Sequence, residues 1–392
     1  MRTYKFSDVG ALAAALLLSA SPASSSPVRR GNSQNVGTNG VQFQLNGQPF
    51  NFAGTNNYDT AFVDTQHISD ILTAVKNDGY KVLRTWAFNE LDTQDSYQPP
   101  VYFQSWTDGV PTINIGANGL GLLDEVVSQA ETAGLKLILT LANNWADYGG
   151  MDVYVNQVIS DNPAHGDFYT NPTIVGYFKD YVETIVTKHK DSPAIFSWEL
   201  ANEARCTGTN SSMATTDCTA DTITKWTDMM SAHIKKFDPN HMVSIGIEGY
   251  FNHPGATTYE YDGSQGQDFD AILKLDNIDF GTIHIYIPQD PDEDEAWSLQ
   301  YLKDHDASGQ AANKPVVLEE YGVDRDGSLN RTEVYDAWRD YIYGSKAING
   351  DMSWATIQLD NCPNGNEYAI CSTDPDYDEL VTDWVKKMNG KA

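Results

Sequence analysis

The sequence predicts an α/β protein folded as a single (β/α)8 TIM barrel with an N-terminal β-hairpin. Three observations lead there. Eight short apolar runs alternate with eight segments of helical periodicity. No linker or shift of composition interrupts the alternation. Polar and aromatic residues recur where the runs end, the place where a barrel gathers its βα loops. A doubly wound open sheet is the rival, but its first strand would open into a Gly-rich phosphate turn, and Gly54-Thr-Asn-Asn-Tyr58 is not one.

Val41-Gln-Phe-Gln-Leu-Asn-Gly-Gln-Pro-Phe-Asn-Phe52 alternates around Asn46-Gly47, a hairpin turn signal. Strands are then expected over 50–54, 82–86, 135–141, 195–200, 242–246, 280–286, 315–320 and 350–354. Helical spacing falls between them over 68–78, 120–133, 173–190, 221–237, 269–275, 295–307 and 331–343, and a last helix over 378–388. The domain reading is a secretory signal over 1–23, a flexible segment over 24–40 and one catalytic domain over 41–392.

The signal rests on Arg2 and Lys5, the apolar run Ala11 to Leu18 and small residues from Ala20 to Ala23. That run is far short of the ~20 residues a membrane span needs. Arg29-Arg30 reads as a dibasic processing site or a charged linker. The balance of 25 Lys+Arg against 54 Asp+Glu, a formal charge of −29, repels nucleic acid and anionic membranes and suits a neutral partner or an acidic medium. Four cysteines, Cys206, Cys218, Cys362 and Cys371, fit two local disulfides better than a metal centre, since no C-x-x-C spacing occurs. Asn210 and Asn330 begin glycosylation sequons, whereas Pro172 excludes Asn171.

Two of the apolar runs carry glutamates at their ends: Phe196-Ser-Trp-Glu-Leu-Ala-Asn-Glu203 and Val316-Val-Leu-Glu-Glu-Tyr-Gly322. An ionised carboxylate is costly to desolvate, so a buried strand rarely ends in one without a reason. Paired carboxylates suit glycoside hydrolysis, where one gives and takes a proton while the other attacks or activates water. The acid must stay protonated, so its pKa is expected to be raised by a less polar site or a neighbouring carboxylate. The attacking group needs a cation and donors: Arg84 is the candidate cation, Tyr286 the hydroxyl donor and His284 a further partner. Strand alternation is expected to send Glu319 and Glu320 to opposite faces, leaving one in the site. Trp86 and Trp145 are platform candidates for the apolar faces of sugars, and Asn143, Asn144 and Glu248 are further cleft candidates.

Read in order, Arg84-Thr-Trp-Ala-Phe-Asn89, Asn143-Asn-Trp-Ala-Asp-Tyr-Gly-Gly150, Trp198-Glu-Leu-Ala-Asn-Glu-Ala-Arg-Cys206, His284-Ile-Tyr286 and Leu318-Glu-Glu-Tyr-Gly322 resemble glycoside hydrolase family 5. More narrowly they resemble its secreted fungal endo-β-1,4-mannanases, from about Val41 to Trp354. The resemblance implies Glu203 as general acid/base and Glu320 as nucleophile of a retaining double displacement. It also implies Asn202 on the sugar 2-hydroxyl, Trp354 beneath the cleaved sugar and Arg205 on the leaving side. The enzyme so implied needs no cofactor or metal and acts as a secreted monomer on β-mannan. Exo-β-mannosidase and endo-β-1,4-glucanase are the rival activities, and a non-hydrolytic carbohydrate-binding barrel is the rival of another class. Departures lie around the pair: Ala204 replaces the family's proline and loosens the loop after the acid, an extra residue precedes Pro288, Ala355-Thr-Ile-Gln358 follows Trp354, and the Cys206–Cys218 loop is long. They bear on subsites more than on hydrolysis.

Overall fold

The computed structural model describes residues 34–91, 100–209, 213, 217–287, 294–325, 327–357 and 367–391. The expected signal over 1–23, Asn210 and Cys362 lie outside the described residues.

Eight strands form one parallel sheet: Phe52–Asn56 (β1), Val82–Trp86 (β2), Lys136–Thr140 (β3), Ile195–Glu199 (β4), Met242–Ser244 (β5), Gly281–Ile287 (β6), Val316–Val323 (β7) and Ile348–Ser353 (β8). Each pairs with its neighbours in sequence except β5 with β6, and β8 pairs with β1 (Gly350 opposite Phe52). Between β5 and β6 the Asp279 amide donates to Val243 O at 2.9 Å and the His284 amide to Glu248 O at 3.2 Å, which closes the barrel. Covered on both faces, the strands are almost wholly buried, so they read as continuous apolar runs rather than as alternation. Each expected strand is found within three residues of its predicted ends.

The outer layer comprises Thr65–Asn77 (α1), Leu120–Ala133 (α2), Pro172–His189 (α3), Ala220–Phe237 (α4), Phe269–Leu273 (α5), Glu295–Ala312 (α6) and Arg331–Gly344 (α7), followed by a last helical segment, 378–389 (α8). Their sequences carry the usual start and stop chemistry. Asp64 accepts from the amides of Gln66 and His67 at the start of α1, and Pro172 follows the capping Asn171 of α3. Gly134, at φ 75°, ends α2. The buried face of α1, Ile68, Ile71, Leu72 and Val75, keeps the spacing of one helical stripe.

One end of the barrel is plugged by apolar side chains. Phe52, Val82, Ile138, Phe196, Met242, Phe280, Val317 and Met352 point inward, and Phe43 from the N-terminal hairpin packs among them, 5.2 Å from Phe196 and 5.4 Å from Phe280 between ring centroids. Gly350 is required here, because a Cβ would lie 2.3 Å from the Phe52 ring. The hairpin has one more strand than expected: Gly37–Asn39 pairs antiparallel with Gln42–Leu45, and Val36 is buried in the plug. The segment expected to be flexible to residue 40 is therefore ordered at its end, because Val36 completes the floor. The floor excludes water from below, so polar groups above it face only one another and the open mouth.

Two local units escaped the sequence reading. Helices Gly150–Val158 and Asp167–Thr170 lie between β3 and α3, and a small sheet of Glu90–Leu91, Gln104–Thr107 and Val110–Ile113 follows β2. Their elements are too short for a periodic signal.

Candidate active site

Above the apolar floor stands Arg84, on β2 and fully buried. Its Nε donates to Glu199 Oε1 at 2.9 Å and its Nη2 to Asn202 Oδ1 at 2.8 Å. Its Nη1 donates to Asn56 Oδ1 at 3.1 Å and to Glu320 Oε1. Glu319 Oε2 lies 3.6 Å from Nε. Burial alone would favour losing the charge, but Glu199, Glu319 and Glu320 raise the guanidinium's pKa further. One planar cation thus ties β1, β2, β4 and β7 together at the end of the barrel where the βα loops begin.

Both glutamate-bearing strands contain a β-bulge. On β4, Ile195 and Ser197 pair with the consecutive residues Leu137 and Ile138. The extra residue turns Glu199 inward along with Phe196, an odd spacing that regular alternation forbids. On β7, Leu318 and Glu320 pair with the consecutive residues Ile283 and His284. This corrects the expected split of Glu319 and Glu320. The bulge aims both carboxyls into the barrel, Glu320 toward the cleft and Glu319 beneath it. Glu320 Oε2 also accepts from the Tyr286 hydroxyl at 2.6 Å. Burial, followed by the charge of Glu320, raises the Tyr286 phenol well above its ordinary pKa, so it remains a donor.

Glu203 lies four residues past the end of β4 at φ 52°, uncommon for a residue with a side chain. Such strain costs about 1–3 kcal/mol and needs surroundings that hold it. The Asn202 amide donates to Ala142 O at 2.8 Å and the Glu203 amide to Gly246 O at 2.6 Å. Gln267 Nε2 donates to Ala204 O at 3.1 Å, and the Cys206–Cys218 disulfide closes the loop beyond. Ala204, which stands where the family has proline, lies buried in this loop. Cys371 is also disulfide-bonded.

Trp145 Nε1 donates to Glu203 Oε2 at 2.5 Å, and His284 Nδ1 lies 2.8 Å from Glu203 Oε1. Burial would raise the Glu203 pKa, as expected of an acid, but the hydrogen bond and charge of His284, with the charge of Arg205, bring it down to about 2. His284 moves the other way. Burial disfavours its charge, yet Glu320, Glu203 and Glu319 raise its pKa well above the usual value. Both shifts favour the proton on the imidazole over Glu203, one hydrogen bond away. An oxygen of Glu203, an oxygen of Glu320 and a ring nitrogen of His284 lie within 4.8 Å of one another. His284 thus bridges the two carboxyls, able to pass a proton to either.

The cleft over these groups has a volume of about 640 Å³. Trp86, Asn143, Trp145, Asn202, Arg205, His284, Tyr286 and Trp354 line it with the two glutamates. Arg84 lies below it as a support. Arg205 is anchored in a buried cluster, donating to Glu248 and, at 3.1 Å, to the Tyr250 hydroxyl, with its guanidinium over the Trp145 ring. Glu248 lines the cleft as this anchor. Asn144 does not line it. Its amide holds the backbone, donating to Thr207 O and accepting from the Arg205 amide. Asn330, the remaining sequon, is exposed and caps α7.

Tyr58, one of the polar and aromatic residues at the strand ends, stacks on Trp354 at 5.8 Å. Other lining residues were missed: Tyr148 packs on Tyr58, Tyr368 supports the Tyr286 ring, Tyr259 packs on Tyr250, and Trp297, in the first turn of α6, stacks on Tyr301. None of these lies at a strand end, so position along the chain carries no signal for them.

Residues 33–357 match the family model described as GH family 5 beta-mannosidase-like. The chain is 37% identical over 384 residues to a probable mannan endo-1,4-beta-mannosidase C of Aspergillus terreus, covering 90% of this chain and 92% of that protein. It is 35% identical to mannan endo-1,4-beta-mannosidase A of Hypocrea jecorina, over 97% of this chain and 83% of the other. Among solved structures, the endo-1,4-beta-mannanase from Rhizomucor miehei superposes with a TM-score of 0.84 at 38% identity, over 91% of this chain and all of that one.

Proposed function

Because the chain belongs to the β-mannosidase-like group of glycoside hydrolase family 5, we propose that it cleaves internal β-1,4-mannosidic linkages of mannan, galactomannan and glucomannan with retention of configuration. The observation that carries this reading is the spacing of the two carboxyls, whose nearest oxygens lie within 4.8 Å across one cleft. Retaining enzymes hold their carboxyl groups about 5–5.5 Å apart, and inverting enzymes about 6.5–9.5 Å to admit a water. Glu320, held by Arg84 and Tyr286, attacks the anomeric carbon. Glu203 delivers the proton it shares with His284 to the leaving oxygen, then takes one from the water that releases the sugar. Asn202, fixed by Arg84 and Asn143, presents its amide toward the sugar in the cleaved position.

Internal cleavage is favoured over exo action by aromatic surface on both sides of the pair. Tyr58, Trp86 and Trp354 stand on the arc of β8, β1 and β2, while Trp145, Arg205 and Tyr250 stand on the arc from β3 to β5. We also place the enzyme outside the cell as a monomer, with the Cys206–Cys218 disulfide in support of an oxidising compartment. None of the described helices is long and apolar enough to cross a membrane.

The test is reducing-sugar release from galactomannan, glucomannan and a soluble cellulose derivative, with product sizes from mannohexaose. Release from the mannans, with mixed short oligomers, is expected. Glu203→Gln should lower the rate at least ~10²–10⁴-fold. Mannose as the sole product, preference for the cellulose derivative, or near-normal activity of Glu203→Gln would overturn the reading.

A further inference from the structure

Glu319 lies beneath the catalytic pair with no role in the reaction as derived above. Its surroundings are specific. Asn56 from β1 donates to its carbonyl, while Arg84 from β2 and His284 from β6 face its carboxyl; Glu199 from β4, which accepts from Thr140 of β3 and faces Ser244 of β5, shares Arg84 with it, and Glu320 beside it on β7 accepts from Tyr286. Glu203 lies beyond His284. Glu319 Oε2 faces His284 Nε2 at 3.4 Å. Glu319 Oε1 is buried and meets no donor.

Arg84 Nε brings the Glu199 carboxyl to its side, lying 2.9 Å from Glu199 Oε1 and 3.6 Å from Glu319 Oε2. Glu199 Oε1 already accepts from Arg84 Nε at 2.9 Å and from Thr140 Oγ1 at 2.7 Å, while its Oε2 has only a distant hydroxyl, Ser244 Oγ at 3.5 Å. Two buried carboxyls that share one guanidinium repel each other when both are ionised, which favours a proton on one of them. Arg84 lies closer to Glu199, so the proton belongs on Glu319. Gly246 makes room for this contact, since a Cβ there would fall 2.6 Å from the Glu199 carboxyl carbon.

We propose that Glu319 is a positioning residue for proton transfer: a buried neutral carboxylic acid that donates to Glu199 and offers His284 Nε2 only a weak acceptor, so that the proton shared by His284 and Glu203 can leave for the glycosidic oxygen. An ionised Glu319 would hold that proton on the imidazole from behind. Burial, followed by the charge of Glu199, raises the Glu319 pKa to about 8, in the direction the geometry requires. Ionisation of Glu319 near that pH then contributes to the alkaline limb of the rate profile, because the imidazole gains a charged partner and binds its proton more tightly.

The inference rests on the proposed acid/base role of Glu203, and its test separates the two. Infrared difference spectra of wild type against Glu319→Gln, in the free protein at pH 6, should show loss of a protonated-carboxyl band. No substrate enters that measurement, so it stands even if mannan is the wrong polymer. In kinetics on mannohexaose, Glu319→Leu should lower kcat by about tenfold or more with little change in KM. Glu319→Gln keeps a neutral acceptor for His284 and gives Glu199 an N–H donor. It should recover most of that loss and move the alkaline limb of kcat upward. Absence of the carboxyl band, or an unmoved alkaline limb in Glu319→Gln, would overturn the proposal. A Glu319→Gln variant no more active than Glu319→Leu would also overturn it, by showing that the carboxylate itself is needed.

Discussion

Arg84→Lys retains the charge and removes the fork. In the native protein three guanidinium nitrogens reach Glu199, Asn56, Asn202 and Glu320, which come from different strands and loops of the barrel. A lysine ammonium is a single centre with three donors and cannot span the positions filled by Nε and both terminal nitrogens. At least two hydrogen bonds to charged groups are lost, each worth about 1.5–3 kcal/mol, or roughly 3–6 kcal/mol in all. That agrees with the ~3–5 kcal/mol typical of breaking one buried pair. It is also a large part of the ~5–15 kcal/mol that holds most domains folded. The denaturant midpoint should fall with an unchanged m-value, since the surface exposed on unfolding is the same. At saturating substrate below that midpoint, kcat should drop ~10²-fold or more, because Glu320 loses its fixed cation and its aim. A variant with the wild-type midpoint and kcat within a few-fold of normal would refute the argument that a fork, and not merely a charge, organises the site.

Two further predictions concern smaller groups. Tyr286→Phe removes only the hydroxyl that donates to Glu320 Oε2 at 2.6 Å, and the ring keeps its partner Tyr368 at 5.0 Å. A charge-assisted bond of ~1.5–3 kcal/mol corresponds to a roughly 10–100-fold fall in kcat without loss of the fold; a fall under threefold would argue against it. Asp238, buried where α4 ends, accepts from Trp198 Nε1 at 2.8 Å and faces His241 Nδ1 at 2.6 Å. Burial opposes its charge, but the hydrogen bond and charge of His241, with the Trp198 bond, hold its pKa at about 2 against 3.8. A depressed acid contributes stability that is present above its unfolded pKa and lost as pH falls through the folded one. Allowing for solvent screening, about 1–2 kcal/mol should disappear between pH ~3.8 and ~2. Asp238→Asn should therefore unfold at lower denaturant than wild type at pH 7, with the gap narrowing near pH 2.5. An equal gap at both pH values would contradict the assignment.

The barrel was legible because each strand is buried on both faces and each helix on one, so burial wrote two different periodicities into the chain. Glu203, Glu320, Arg84, Asn202, His284, Tyr286 and Trp354 meet at one end because each lies between the middle of a strand and the loop just past it, a position that order along the chain already specifies. Trp145, Asn143 and Arg205 join them for the same reason, and Asn144 shows its limit, since adjacent loop residues can face opposite ways. Tyr148, Tyr259 and Trp297 left no such trace, because the loops around Tyr148 and Tyr259 and the first turn of α6 place them in the cleft.

The paired glutamates, and the strand ends they occupy, follow from the sequence by itself: the cost of desolvating charge marks such positions in any buried run. Orientation and protonation were decided only by the tertiary structure. A strand's side-chain period is two, so one extra residue on β4 turns Glu199 inward and one on β7 brings both Glu319 and Glu320 inward, and no composition or spacing announces a bulge. The direction of each pKa is a balance between burial and partners. For Glu203 the deciding partner is His284, which lies 81 residues away in the chain and 2.8 Å away in space.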